Sequence, residues 1–217
     1  MAVIIIHKGV KMIDDFIKKL RQIKSTNNST NQYSKEIKNS DITINNLRLY
    51  LNYINKQKPK YLFVGEAPGY NGCRITGIPF TSEYILTQNY GKGMFGKENG
   101  YKIINTNKPQ KEPTATIIWE IFSHKKILPC FWNAFPFHPY KDGNPLSNRE
   151  PDKSEKAIGL NILLELVDIL RIKNFIAIGK VSYNMLIKNG IRCEYIRHPA
   201  NGGKSEFIMG LKKIKDL

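Results

Sequence analysis

Four short apolar runs constrain the fold of this chain more than any other feature: Tyr61–Val64, Cys130–Phe135, Asn174–Ile178 and Cys193–Ile196. Each stops at glycine, proline or a polar residue, which is how a buried strand reads in sequence. Between them apolar residues return at helical spacing. Thr114–Leu128 carries Ile117, Ile118, Ile121 and Phe122. A helix opened by Pro151 runs to about Arg171 with Ile158, Ile162, Leu163, Leu166, Val167 and Leu170. A third follows Gly179-Lys180 with Val181, Met185 and Leu186. Strands alternating with helices predict an α/β fold on a mainly parallel sheet. In such a sheet the C-terminal strand ends face one crevice. Three of these ends carry polar residues: Glu66, Asn133 and His198.

The remaining segments are read in the same way. Met1–Ile6 is expected to form a short edge strand, Val10–Ile23 an amphipathic helix, Ser25–Asn31 a flexible loop and Ile42–Asn55 a second helix. Residues 1–60 are thus an N-terminal helical extension packed on the same domain, and 61–217 the α/β domain proper. Residues 83–112 form a long stretch rich in Gly, Asn and Lys, with Tyr84, Tyr90, Met94, Phe95 and Tyr101 interspersed. Two readings stand for it: a nucleic-acid surface, or a disordered or partly helical insertion. Pro113 precedes the next helix, with Thr114 as its cap, and Glu206–Leu217 closes the chain as a basic helix.

Composition narrows the function. With 41% hydrophobic and 24% charged residues the chain is globular rather than disordered. Its 34 Lys and Arg against 18 Asp and Glu leave a net charge of +16. Such an excess suits a polyanionic partner, because Lys and Arg neutralise phosphates and release counterions. The abundance of Lys, Asn and Ile is equally what an AT-rich coding sequence produces. Three widely spaced cysteines, Cys73, Cys130 and Cys193, include no C-x-x-C pair and cannot hold a four-cysteine iron–sulfur cluster. An odd cysteine count without a signal peptide suits a reducing, cytoplasmic setting, and no stretch is long enough to span a membrane. No cofactor or metal is expected.

The chemistry gathers around Gly65-Glu66-Ala67-Pro68-Gly69, a break after the first apolar run. Gly65, Gly69, Gly72 and Gly77 let backbone approach a ligand closely. The stretch is neither a P-loop nor a dinucleotide fingerprint. Asn133 offers one acceptor and two donors, suited to a pyrimidine edge or a carboxamide, or else it orders its own loop. His198 can donate to a developing anion, or serve as a satisfied structural histidine. Phe80 can stack on a base or fill the core. His138 is a further candidate that composition does not rank.

In order along the chain, these residues resemble the uracil-DNA glycosylase superfamily. Gly65-Glu66-Ala67-Pro68-Gly69 resembles its first motif in the form found in family 4. Thr76-Gly77-Ile78-Pro79-Phe80, Asn148-Arg149-Glu150-Pro151 and His198-Pro199 resemble the motifs that follow. A bacterial subgroup is similar also in Glu112–Thr116, Trp132–Pro139 and His198–Gly203. The resemblance implies a three-layer α/β/α domain with a central, mainly parallel four-stranded sheet. It implies a monomeric repair enzyme that flips uracil out of DNA and hydrolyses its N-glycosidic bond with water. Under it, Phe80 stacks on uracil, Asn133 reads its edge and His198 donates to uracil O2. Gly65, Glu66, Ala67, Gly69 and Tyr70 belong to the water-positioning loop. Ala200, Asn201, Gly202, Gly203, Lys204 and Ser205 lie where the family enters the duplex.

Two departures from the pattern bear on chemistry. In the best-known branch an Asp of the first motif positions water; Ala67 stands there, so Glu66 is the expected orienting group. The usual Ser and bulky wedge after His-Pro are replaced by Ala200-Asn201-Gly202-Gly203. The alternatives are a non-catalytic, lesion-sensing relative and a glycosylase for another deaminated or mispaired base.

Overall fold

The computed structural model describes residues 2–125, 127–215 and 217. Its centre is a parallel sheet of β2 (Tyr61–Gly65), β3 (Cys130–Asn133), β5 (Asn174–Ile178) and β6 (Glu194–Ile196), in the order β3-β2-β5-β6. The inner strands are apolar through their central and C-terminal residues because helices cover both faces of a parallel sheet; Leu62, Phe63 and Val64 are fully buried. The register sets Gly65 beside Asn133 and Ile178 beside Ile196, so the strands end together. A small antiparallel pair, β1 (Ser29–Thr30) with β4 (His138–Pro139), lies apart from this sheet.

The flanking helices are α1 (Ala2–Gln22), α2 (Ser40–Gln57), α5 (Pro113–Phe122), α6 (Lys153–Leu170), α7 (Lys180–Lys188) and α8 (Lys204–Lys212), with two single-turn helices, α3 (Cys73–Thr76) and α4 (Glu83–Leu86). Among the described residues no helix is long and apolar enough to cross a membrane. The edge strand expected at Met1–Ile6 is instead helical from Ala2; Met1 itself lies outside the described residues. A helix anchored by buried Ile13, Phe16, Ile17 and Leu20 extends upstream readily, since propagation costs far less than nucleation. Helix α1 packs on α2 and α6.

Two capping details decide where helices begin. Glu112, not Thr114, caps α5: its carboxylate accepts from the N–H groups of Thr114 (2.9 Å) and Ala115 (2.6 Å), with Pro113 in the first turn. A carboxylate there satisfies two orphan donors and complements the helix dipole, which a hydroxyl does less well. Helix α6 starts from a reciprocal box between Asp152 and Glu155 rather than from Pro151 itself. Glu155 is fully buried and also takes both guanidinium ends of Arg149 at 2.7 Å and the Thr26 hydroxyl at 2.6 Å. Arg149 bonds onward to the carbonyls of Asn28 and Tyr140. The segment 25–31 is therefore pinned to the body of the domain, with Ser29 and Thr30 paired in β1.

Residues 83–112 are held by side chains from within and outside the stretch: Asn46 bonds both the N–H and the carbonyl of Lys102, and a buried carboxylate gathers the rest. Glu83 accepts from the backbone N–H groups of Ile104 (2.7 Å), Asn105 (2.9 Å) and Gln110 (2.9 Å) and from the Asn105 side chain (2.8 Å). A buried carboxylate is tolerable only when so satisfied. Phe95 and Tyr101 meet edge-on beneath the segment, and Phe95 meets Trp119.

Candidate active site

A cleft of about 860 Å3 opens where the strands end. Its walls come from the loop after β2 (Glu66–Cys73), Phe80-Thr81, the start of α5, Asn133, Asn148-Arg149, Gly179-Lys180, and Tyr195 to Asn201. All three polar strand ends, Glu66, Asn133 and His198, reach it.

Phe80 stands at its floor. Its backbone is left-handed (φ 53°), an uncommon setting for an aromatic, and the indole N–H of Trp119 donates to its carbonyl at 2.9 Å. The ring leans edge-on against Phe131, 5.6 Å between centroids, and lies 6.3 Å from the ring of His198. Gly65 makes this possible: a Cβ there would lie 2.3 Å from the tip of Phe80 and 2.8 Å from Asn133 Oδ1. Gly65 is thus the surface on which Phe80 and Asn133 meet, although it does not itself line the cleft. Asn133 is 3% exposed, and its amide nitrogen has only a long contact to the Cys73 thiol at 3.9 Å. Its hydrogen-bonding capacity is largely unspent.

His198 is oriented through Nδ1, which accepts from the Ala200 N–H at 3.2 Å. In the neutral ring the proton then sits on Nε2. Burial, reinforced by the Arg197 charge, pushes its pKa down to about 4, so the ring is a neutral donor at pH 7. The turn beneath it is tight: a Cβ on Gly203 would stand 2.1 Å from the His198 carbonyl. Ala200 and Asn201 line the cleft, whereas Gly202, Gly203, Lys204 and Ser205 form the turn and first residues of α8 outside its lining. Lys204 faces Glu120 at 3.4 Å.

Glu66 is half-buried, and among the described residues its carboxylate takes no protein hydrogen bond. Burial, then the nearby Glu150, raises its pKa above the ordinary range, with Lys156 opposing. A carboxylate so poised is basic enough to order or accept from water. Ala67, Gly69 and Tyr70 complete the loop. Asn148 Oδ1 accepts from the Tyr70 N–H (3.1 Å), Arg74 donates to the Tyr70 carbonyl (3.1 Å), and the N–H of Phe135 donates to the Glu66 carbonyl (3.1 Å).

His138 lies outside the lining. It is fully buried and bridges two carbonyls, Pro68 through Nδ1 (2.7 Å) and Pro145 through Nε2 (3.1 Å). Residues given no site role from sequence also line the cleft, among them Cys73, Glu112, Lys180 and Tyr195. Cys73 is remote in sequence from Asn133, and only the fold brings them together. Tyr195 carries no sequence signal beyond being aromatic in a strand. Among the described residues no cluster of three His, Cys, Asp or Glu is placed to hold a metal ion.

Residues 51–212 match the uracil DNA glycosylase superfamily, and the chain belongs to that family; its enzyme class is that of the DNA glycosylases. No curated protein matches the sequence. Among solved structures, the crystal structure of wild-type SMUG2 from Pedobacter heparinus shares the fold, with a TM-score of 0.63 over 93% of this chain and 94% of that one at 18% identity.

Proposed function

We propose that the protein releases uracil from DNA as a monofunctional glycosylase with water as the nucleophile. The observation that carries this reading is the convergence of Phe80, Asn133 and a neutral, Nε2-protonated His198 on one cleft floor. A flipped pyrimidine laid on Phe80 puts its edge within reach of the unspent Asn133 amide. Cleavage of the glycosidic bond places negative charge on the departing base. A fixed N–H donor at uracil O2 stabilises that anion without reorganisation, a contribution of about 3–4 kcal/mol for one well-aimed donor. Positive charge develops on the sugar, and Glu66, held basic by burial, orients the water that attacks it. Ala67 has no polar group with which to do so. The basic charge of the chain favours the DNA backbone. Its free cysteines suit a reducing, cytoplasmic setting, and the enzyme acts as a monomer.

Base release from a single-stranded oligonucleotide carrying one uracil, followed by alkaline strand scission, tests the proposal. Wild type should cut at the uracil, and His198→Ala should retain binding while losing about 100- to 1000-fold in turnover. Firm DNA binding with no uracil release would overturn it. The same assay on oligonucleotides carrying hypoxanthine, xanthine or a mispaired thymine would then separate another lesion from a lesion-sensing role.

A further inference from the structure

Tyr195 has no part in the chemistry above, yet it lines the same cleft on the edge strand β6 and is 41% exposed. Its chain neighbour Ile196 is buried in the sheet, so the alternation of the strand points Tyr195 away from that core contact. Tyr183 of α7 meets its ring edge-to-face at 5.5 Å and 74°. The ring is thus held in place rather than loosely solvated, which lowers the cost of ordering it against a ligand. Lys180 and Arg197 line the same cleft; Arg197 also faces Glu206 at 3.6 Å and donates to the His198 carbonyl. A braced, half-exposed aromatic ring in a cleft that also carries cations is what a nucleic-acid strand uses to rest a base, with the charges on its phosphates.

The two aromatics of the cleft differ in setting. Phe80 sits against Gly65, Phe131 and Asn133 on the floor, closed in on several sides. Tyr195 sits on the rim, open to solvent. We infer that Tyr195 is a stacking platform for the base that flanks the flipped nucleotide, and that it favours single-stranded DNA. A flanking base in a duplex stays held by its pairing partner and by its remaining stacked neighbour after the flip, whereas in a single strand it is free to turn onto a protein ring. The inference rests on the cleft being the DNA site, and it requires no particular lesion, because every base offers a π-face.

Tryptophan fluorescence gives a direct readout. The two native tryptophans, Trp119 and Trp132, are fully buried. Tyr195→Trp would therefore add an exposed indole at the proposed platform. Titration with an undamaged single-stranded oligonucleotide should quench that emission. Tyr195→Ala should weaken single-strand affinity by about 5- to 100-fold, Tyr195→Phe should bring it back, and duplex affinity should change much less. Unchanged emission from Tyr195→Trp while the oligonucleotide binds, or wild-type single-strand affinity in Tyr195→Ala, would overturn the inference while leaving the glycosylase reading intact. Failure of wild type to bind DNA at all would overturn both.

Discussion

The chain contains two His-Pro corners, each just beyond an apolar run, and the structure gives them opposite roles. His138-Pro139 and His198-Pro199 share a dipeptide, and in both the imidazole pKa is lowered chiefly by burial. The difference lies in what each ring nitrogen faces. Both nitrogens of His138 face backbone carbonyls, one of them through the single N–H of the neutral ring, and so sit between the Pro68 turn and the 141–148 loop. His198 spends one nitrogen on the Ala200 N–H, which fixes its tautomer, and among the described residues the other takes no protein partner in a ring that lines the cleft. A histidine with every partner supplied by backbone is a bracket. One with a single supplied partner and an open neighbour is a donor waiting for a ligand.

That contrast can be broken by mutation. The largest effect is expected from His198→Ala: turnover on uracil-containing DNA should drop by the two to three orders of magnitude given above, with little change in melting temperature. His138→Ala should invert this pattern, because the neutral ring has one N–H and the buried carbonyl that accepts from it loses its donor at about 1–3 kcal/mol, with the packing of the ring lost as well. For a chain of this size each kcal/mol lowers the melting temperature by about 2–4 °C, so calorimetry distinguishes the bracket from the donor. A melting temperature unchanged by His138→Ala would show that its carbonyl contacts carry no weight.

The pH dependence sharpens the comparison. The folded-state pKa of His198 is depressed to about 4 from an ordinary 6.5. As pH falls below 6.5 the unfolded chain takes up a proton that the folded chain refuses, so stability declines from there until the folded ring titrates near 4. Nitrogen-15 spectra should show an Nε2-protonated neutral imidazole down to about pH 4, and His198→Ala should shallow the decline. Glu66 carries the opposite sign for a carboxylate, with its pKa raised. Turnover should therefore fall as pH drops through a value above the ordinary Glu range, and Glu66→Gln should abolish that limb along with most activity.

Selectivity is a subtler readout. Asn133→Asp replaces an amide donor with an acceptor on the cleft floor, and discrimination between uracil and cytosine should loosen by an amount worth about 1–3 kcal/mol. Paired rates on uracil- and cytosine-containing oligonucleotides measure it; intact selectivity would show that Asn133 does not read the base. The smallest effect separates the two cap candidates. Glu112→Ala should cost about 0.5–2 kcal/mol of stability by urea titration, while Thr114→Ala should lose almost none through capping.

Much of this architecture was legible before any coordinates. The four runs that became β2, β3, β5 and β6 are recognisable because a strand buried on both faces has almost no freedom to be polar. Glu66, Asn133 and His198 stood out because a polar residue at the end of such a run has few reasons to be there. The helices α2, α6 and α7 followed from spacing alone. Local signals failed where a distant partner decided the outcome. Met1–Ile6 looked like a strand because β-branched residues dominate it, but the helix anchored on Ile13 and Phe16 includes Ala2 to Ile6. Residues 83–112 stayed open between a nucleic-acid surface and a disordered or partly helical insertion, because distant partners hold them: Glu83 collects donors more than twenty residues away, and Asn46 holds Lys102. Sequence determined the alternation of strand and helix and the residue types at the strand ends, since both follow from local periodicity and burial. Tertiary structure alone decided which histidine is a bracket and which a donor, that Cys73 and Tyr195 face the cleft, and that Gly65 must be bare for Phe80 to lie across it. Those outcomes depend on contacts between residues far apart in the chain, which no local pattern encodes.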